Sequence, residues 1–166
     1  MKYAFLSGRK QSLSFAELQA LFPKANFYHT DKEFLFAERN PPLPNPQQTL
    51  DRLGGTIKIV ELIDEIIPED VETKIAHVLR NFFQGKETKC IFGVSSFGIS
   101  RGKDFQKKLL LSLKRKLKAE GLKVRFVNKF FHNIAPVAVL KEHLTTDGME
   151  INLFGNNEKI LLGKTV

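Results

Sequence analysis

The chain has 166 residues, of which 42% are hydrophobic, so it is long and apolar enough to fold as one domain or as two small ones. This composition excludes a disordered basic tail, and no apolar run approaches the roughly 18 residues that would predict a membrane-spanning helix. The single cysteine, Cys90, has no partner for an internal disulfide, which favours a cytoplasmic location. The formal net charge is +8 at pH 7.

The first part of the chain follows the order β-α-β-β-α-β, which predicts a ferredoxin-like domain over residues 1–67. Ser14 and Glu17 have the spacing of a capping box, so the first helix is predicted to begin just after Ser14. Residues 30–32 are the predicted turn of a hairpin. The predicted strands cover residues 2–6, 26–28, 33–38 and 56–63, and the predicted helices cover residues 15–22 and 47–53.

Residues 68–166 predict a second domain of α/β type, so the whole chain is assigned to the α/β (α+β) class. Its first helix follows Pro68, where Glu69 and Asp70 suit the positive end of the helix dipole, and Gly85 is the predicted stop. The centre of this domain is a strand, a long basic helix and a second strand. The predicted strands cover residues 90–95, 123–127, 136–141, 149–154 and 159–164.

The basic charge is concentrated in one segment of this second domain. Residues 101–129 contain eleven Lys or Arg against two acidic residues, a net charge of +9, so the rest of the chain carries −1. At helical spacing, one arc of the long helix is apolar and consists of Phe105, Leu109, Leu110, Leu113 and Leu117. The opposite arc, with Leu111 in its middle, carries Lys107, Lys108, Lys114, Arg115 and Lys118. A local basic face is typical of proteins that bind a polyanion.

The helix alone would equally allow an ordinary solvated surface, and the basic residues at both of its ends favour the polyanion interpretation. The candidate phosphate contacts are Arg101, Lys103, Lys107, Lys108, Lys114, Arg115, Lys118, Lys123, Arg125 and Lys129. Phe130, Phe131 and His132 follow the basic strand, where aromatic rings would stack on unpaired bases. The alternative is that both phenylalanines enter the core.

The sequence contains no recognisable catalytic constellation. Gly98 and Gly102 enclose three residues rather than the four of a P-loop, and Asp104 stands where Ser or Thr would bind magnesium. Residues 40–43, Asn-Pro-Pro-Leu, approach the Asn-Pro-Pro-aromatic motif of amino-group methyltransferases but lack its aromatic residue. The four histidines are scattered, with no Cys or carboxylate at metal-ligand spacing.

Several segments together resemble the N-terminal half of THUMP-containing RNA methyltransferases, the group that modifies guanosine at N2 in tRNA. The segments that resemble the start and end of their ferredoxin-like domain are residues 3–9, 13–18 and 52–59. The segments similar to the THUMP core are residues 92–96, the basic helix and residues 123–127. Residues 161–166 resemble the point at which the THUMP domain leads into the catalytic domain.

The resemblance implies a THUMP domain over residues 68–166 that binds the acceptor stem and the unpaired 3′ CCA end of tRNA. His132 and Asn133 are then candidates for contacts to that 3′ end. It also implies that S-adenosylmethionine is held by a separate catalytic domain, because the cofactor loop and catalytic motif are absent from this sequence. The chain itself is expected to hold no cofactor and no metal. It is expected to be part of a longer methyltransferase or a stand-alone binding module.

Three alternatives remain open at this point. The first is that the chain is an RNA-binding adaptor for another tRNA-modifying enzyme, such as an acetyltransferase or a thiolation enzyme. The second is that the chain is a protein-interaction module in which Leu111 and the basic arc of the long helix contact an acidic partner. The third alternative is a small enzyme whose site is not recognisable from the sequence.

Overall fold

The computed structural model describes residues 1–30, 33–87, 89–99, 102–155 and 158–166, with the backbone alone at residues 29, 30, 102 and 103. These residues form two compact units, one of residues 1–63 with 165–166 and one of residues 64–164. The domains 1–67 and 68–166 expected from the sequence stay a prediction. None of the helices within the described ranges combines the length and the apolar composition needed to cross a bilayer.

The first unit has the predicted β-α-β-β-α-β order. Its elements are β1 (Lys2–Ser7), α1 (Gln11–Leu21), β2 (Asn26–Thr30), β3 (Phe34–Glu38), α2 (Pro46–Asp51) and β4 (Thr56–Ile66), whose last residues lie in the second unit. The strands are ordered β2-β3-β1-β4, and the pairs β2–β3, β1–β3 and β1–β4 are antiparallel. The core beneath the sheet includes Phe5, Leu18 and Ile59, all buried. The predicted hairpin of β2 and β3 is confirmed, although residues 31 and 32 of its turn lie outside the described residues.

The predicted capping box is wrong, because α1 begins at Gln11 and Ser14 lies inside the helix. Ser14 is fully buried, and its hydroxyl donates to the carbonyl of Gly55. The carboxylate of Glu17 accepts from the N–H of Gly55 at 2.7 Å. The two side chains therefore satisfy the glycine turn between α2 and β4 rather than the start of their own helix. The spacing is the same, but the partner is distant in sequence.

The second unit is an α/β layer. A 3₁₀ turn at Pro68–Asp70 leads into α3 (Val71–Phe83), which is followed by β5 (Cys90–Phe97), α4 (Gly102–Ala119), β6 (Val124–Phe126), a 3₁₀ turn at Lys129–Phe131, α5 (Pro136–Lys141), β7 (Met149–Gly155) and β8 (Ile160–Thr165). The strand order is β8-β7-β5-β6. Strand β5 is parallel to both β6 and β7, whereas β7 and β8 form an antiparallel pair. Helices α3 and α4 contribute Leu79, Leu110 and Leu113 to the main core.

The strand predicted over residues 136–141 is wrong, because this segment is helix α5. Pro136 occupies its first turn, where the missing N–H costs nothing and the fixed φ favours a helix. Val139 is buried against Ile134 and Leu144, while Val137 and Leu140 are exposed, which is not the alternation of a strand. The sheet of this unit therefore ends with two strands after β6 rather than three.

Candidate nucleic-acid interface

Helix α4 has the amphipathic arrangement that its sequence predicts. On the apolar arc, Leu109, Leu110, Leu113 and Leu117 are each at most 6% exposed, and Phe105 is half-buried against them. On the opposite arc Lys107, Lys108, Arg115 and Lys118 are exposed, and Lys114 is half-buried. Leu111 is 39% exposed in the middle of these cations. Burial of the leucine stripe fixes the rotation of the helix, so the cations are presented to solvent on one face.

Two of these lysines link α4 to the end of β6 and to the turn that follows it. The ammonium of Lys107 lies 5.6 Å from the ring centroid of Phe131, and that of Lys114 lies 5.5 Å from the ring centroid of Phe126. Attraction between a cation and an aromatic face holds each ammonium above its ring. The basic arc of α4 and residues 123–131 thus form one continuous surface, called here the basic face.

Among the described residues, Arg125 is the one candidate cation that forms a salt bridge. Its guanidinium donates to a carboxylate oxygen of Glu142 at 2.6 Å. This hydrogen bond is the largest cause that lowers the pKa of Glu142 below its ordinary range, and the charges of Arg125 and Lys129 lower it further. Lys123 and Lys129 are exposed on either side. The positive charge of Arg125 is therefore partly compensated within the basic face.

The segment of residues 128–134 is attached to β5 by side-chain amides. Strand β6 stops pairing at Phe126, and the N–H of Val127 donates to the carbonyl of Phe92. Two residues further along β5, the buried Asn128 amide accepts from the N–H of Val94 at 3.0 Å and donates to its carbonyl at 2.6 Å. The same Asn128 amide also donates to the carbonyl of His132 at 2.7 Å. The Asn128 side chain thus makes the hydrogen bonds to β5 that a neighbouring strand would make, and it also closes the turn by its bond to His132.

Asn133 repeats this arrangement at the next outward position of β5. Its amide accepts from the N–H of Ser96 at 2.8 Å and donates to the Ser96 carbonyl at 2.9 Å. The polar groups of Asn133 are therefore engaged with β5, and its contact with a 3′ end stays a prediction. His132 is exposed, and its backbone N–H donates to the carbonyl of Lys129.

A buried glycine allows the segment to approach β5 closely. A Cβ at Gly93 would overlap the Ile134 side chain and lie 3.2 Å from the Asn128 amide oxygen. Next to it, the Ser95 hydroxyl donates to the buried Glu150 carboxylate at 2.7 Å and accepts from the N–H of Ile134 at 3.0 Å. Close approach of other groups to the strand backbone is a frequent reason for glycine inside a strand.

The structure gives different roles to the two adjacent phenylalanines. Both have left-handed backbones, with φ of 51° at Phe130 and 59° at Phe131. Phe131 is half-buried against the core, with its ring centroid 6.1 Å from that of Phe126. Phe130 points outward and is 85% exposed. Charge and helical spacing do not select Phe130 as a phosphate contact. The Phe-Phe-His run does indicate rings that would stack on bases, but it does not distinguish Phe130 from Phe131.

Two candidates, Arg101 and Lys103, remain. Arg101 lies outside the described residues, and Lys103 belongs to the first turn of α4, where only the backbone is described. Gly98, before this turn, has φ of 72°, and a Cβ there would lie 2.8 Å from the carbonyl of Gly155. This glycine therefore serves the close approach of β5 and β7. Among the described residues, no three His, Cys, Asp or Glu side chains are grouped so as to hold a metal ion.

No protein-family model and no curated protein matches this sequence. Solved structures are similar in fold. TrmN from Thermus thermophilus aligns with a TM-score of 0.58 and 12% identity over 100% of this chain and 46% of its own. PH1313 from Pyrococcus horikoshii aligns with a TM-score of 0.52 and 13% identity over 100% of this chain and 55% of its own. A 4-thiouridine synthetase, solved as an RNA complex with bound ATP, aligns with a TM-score of 0.53 and 10% identity over 98% of this chain and 40% of its own.

The chain therefore spans about half the length of these proteins or less. At such low identity the similarity shows the fold. The expected α/β class, with an N-terminal ferredoxin-like unit followed by a THUMP-type α/β domain, is confirmed.

Proposed function

We propose that this chain is the tRNA-binding module of a THUMP-type, S-adenosylmethionine-dependent tRNA guanine-N2 methyltransferase, and that it acts in the cytoplasm. It binds the acceptor stem and the 3′ CCA end of tRNA, while catalysis and the cofactor belong to a domain other than residues 1–166. The observation that carries this proposal is the basic face, which a buried leucine stripe holds in one orientation on a THUMP-type fold. The presence of RNA in the similar 4-thiouridine synthetase structure supports the same ligand class.

Electrostatics explain how such a surface binds RNA. Lys107, Lys108, Arg115 and Lys118 are exposed on one side of a rigid helix, so several phosphates can be contacted together without ordering a flexible segment. Each phosphate that is neutralised releases condensed counterions. If about five phosphates are contacted, the slope of log K against log salt concentration should be roughly −3.5 to −4.5.

The test is binding of this chain to whole tRNA, and to the same tRNA without its 3′ CCA, across a salt series. We expect a slope in this range for both ligands and weaker binding after removal of CCA, because contacts to the unpaired end are lost. Equal binding to both would overturn recognition of the 3′ end and leave only backbone contacts. A slope near zero, or no binding, would overturn the proposal as a whole.

A second candidate is an adaptor that presents tRNA to a different modifying enzyme. It is favoured by the fold comparison, since TrmN and a 4-thiouridine synthetase share this fold under different names. Purification of the chain from cells with its bound proteins separates the two. A co-purifying methyltransferase polypeptide supports the first function, whereas a co-purifying acetyltransferase or thiolation enzyme supports the second.

The protein-interaction alternative has one structural observation in its favour. Leu111, Lys108 and Arg115 line an open groove together with two carboxylates, Glu69 in the 3₁₀ turn before α3 and Glu72 in its first turn. Under this alternative, a Leu111→Asp variant loses its protein partner, and tRNA affinity is weak in the parent chain and in the variant alike. This alternative would be favoured if the Leu111→Asp variant no longer captured the protein partner and if the parent chain itself bound tRNA only weakly.

A further inference from the structure

We propose that residues 128–134 form a preformed platform on which an unpaired nucleobase stacks, and that the ring of Phe130 is the stacking surface. This inference rests on the RNA-binding function proposed above. It goes beyond that function by naming the chemical group that is recognised and the residue that recognises it.

The first observation is the exposure of Phe130. Its ring is 85% exposed, the highest value among the large apolar side chains of the described residues. Phe131, the next residue, has the same left-handed backbone but packs against Phe126. The outward orientation of Phe130 is therefore set by the turn, since a phenyl ring on its own would favour burial.

The second observation is the rigidity of the support. Asn128 and Asn133 attach both ends of the turn to Val94 and Ser96 of β5. Two consecutive non-glycine residues in the left-handed region persist only where their surroundings hold them, and such strain is concentrated at functional sites. Because the ring is already in place, a ligand that stacks on it loses little affinity to ordering of the protein.

The third observation is the charge around the ring. The ammonium of Lys107 lies over the adjacent Phe131 ring, and Lys129, immediately before Phe130, is exposed. The carboxylate in this part of the surface, Glu142, is paired with Arg125. An aromatic surface bordered by cations is the combination used for single-stranded nucleic acids, whereas the bases of a duplex are already stacked and inaccessible.

An apolar protein partner is the competing occupant of this region. Two further exposed apolar side chains follow along the chain in α5, where Val137 and Leu140 are 76% and 57% exposed. A nucleobase on Phe130 needs neither residue. Leu140→Ala is therefore a matched control, since it removes a second exposed apolar side chain from the same stretch of chain.

The experiment compares a blunt RNA hairpin with the same hairpin carrying four unpaired 3′ nucleotides. Phe130→Ala should weaken binding of the tailed hairpin by about fivefold or more and leave the blunt hairpin unchanged, as expected for the loss of one stacked base. Leu140→Ala should change neither affinity. Thermal unfolding of both variants should match the parent chain, because both side chains are exposed.

A spectroscopic readout makes the contact direct. The chain contains no tryptophan and two tyrosines, so Phe130→Trp introduces a single tryptophan at the platform, which can be excited selectively at the red edge of the absorption band. We expect this variant to bind the tailed hairpin at least as tightly as the parent, with tryptophan fluorescence quenched by the tailed hairpin and not by the blunt one.

The outcomes separate this inference from the function beneath it. If the parent chain binds both hairpins and Phe130→Ala weakens neither, or weakens both equally, the stacking inference is overturned and RNA binding stands. Equal losses of tailed-hairpin affinity for Leu140→Ala and Phe130→Ala would show that the effect is not specific to the Phe130 ring, and would overturn the stacking inference too. If the parent chain binds no RNA, both proposals fail.

Discussion

The ion pair between Arg125 and Glu142 places one carboxylate inside the basic face. Because the pKa of Glu142 is held below its ordinary range, this carboxylate remains charged at every pH near neutrality. Glu142→Gln should therefore release Arg125 for phosphate contact. We expect tRNA affinity to rise by about two- to fivefold, the range that an exposed charge pair supplies, and the salt slope to steepen by up to about one.

Glu65→Gln is the control for this prediction. Glu65 pairs with Lys159 at 2.7 Å, and Lys159 precedes β8, the strand farthest from β6 in the second unit. The Glu65→Gln variant changes the net charge by the same amount but removes a carboxylate whose lysine partner lies away from β6. An equal rise in tRNA affinity for both variants would show that only net charge matters.

Single residues also mark the limit of what the sequence reveals. The cations of α4 can be predicted from their spacing, because helical periodicity determines which arc they share. The exposure of Phe130 and the partial burial of Phe131 cannot be predicted from the sequence. The two rings are adjacent in one run, and the backbone dihedrals of the turn decide which one is exposed. Those dihedrals depend on Asn128 and Asn133, whose partners in β5 lie more than 30 positions earlier.

At the scale of elements, the seating of residues 128–134 on β5 depends on Gly93. A Gly93→Ala side chain would overlap Ile134, so the segment must move or the strand must bend. We expect destabilisation of about 1–3 kcal/mol, as for overpacked cores, measured by urea unfolding. Affinity for an RNA with an unpaired tail should fall more than affinity for a blunt duplex.

The variant Gly54→Ala is the control, because its Cβ would meet a single side-chain atom at 3.1 Å, the Glu17 carboxylate oxygen that does not accept from Gly55. The double variant Gly93→Ala/Ile134→Ala should lose less stability than the sum of the two single variants, since Ile134→Ala removes the atoms that the Gly93→Ala side chain overlaps. Additive losses in the double variant would contradict the proposed contact.

The two elements that the sequence misassigns share a physical cause. Ser14 and Glu17 have capping-box spacing but bond to Gly55, and residues 136–141 contain β-branched residues but form α5. In both segments a distant partner or a buried neighbour outweighs a weak local preference. The apolar stripe of α4 is predicted correctly because it extends over several turns, so its periodicity is unambiguous.

For the whole molecule, the distribution of charge matters more than its total. A Lys114→Gln/Arg115→Gln/Lys118→Gln variant removes three charges from the basic face, whereas Lys2→Gln/Arg9→Gln/Lys24→Gln removes three from exposed positions in the first unit. We expect the first variant to reduce the magnitude of the salt slope for tRNA binding by about two to three, and the second to leave it nearly unchanged. Equal effects of the two variants would indicate a diffuse electrostatic attraction and no defined face.

The left-handed backbone at Phe130 makes this position a candidate for stabilising substitution. A left-handed conformation costs a non-glycine residue about 1–2 kcal/mol. A glycine at this position would relieve that cost, but it loses more backbone entropy on folding, which offsets about 0.4–1 kcal/mol of the gain. Because the Phe130 ring is 85% exposed and contributes little packing, Phe130→Gly should leave the free energy of unfolding unchanged or raise it by up to about 1 kcal/mol.

Phe131→Gly relieves the same strain but removes a ring packed against the core, so it should destabilise the chain by roughly 2 kcal/mol. Urea unfolding of the two variants, together with their affinity for a tailed RNA, measures both effects. A large loss of stability in Phe130→Gly would contradict this account. The expected result is a trade-off at a single position, where the residue best for the fold is glycine and the residue best for the ligand is phenylalanine.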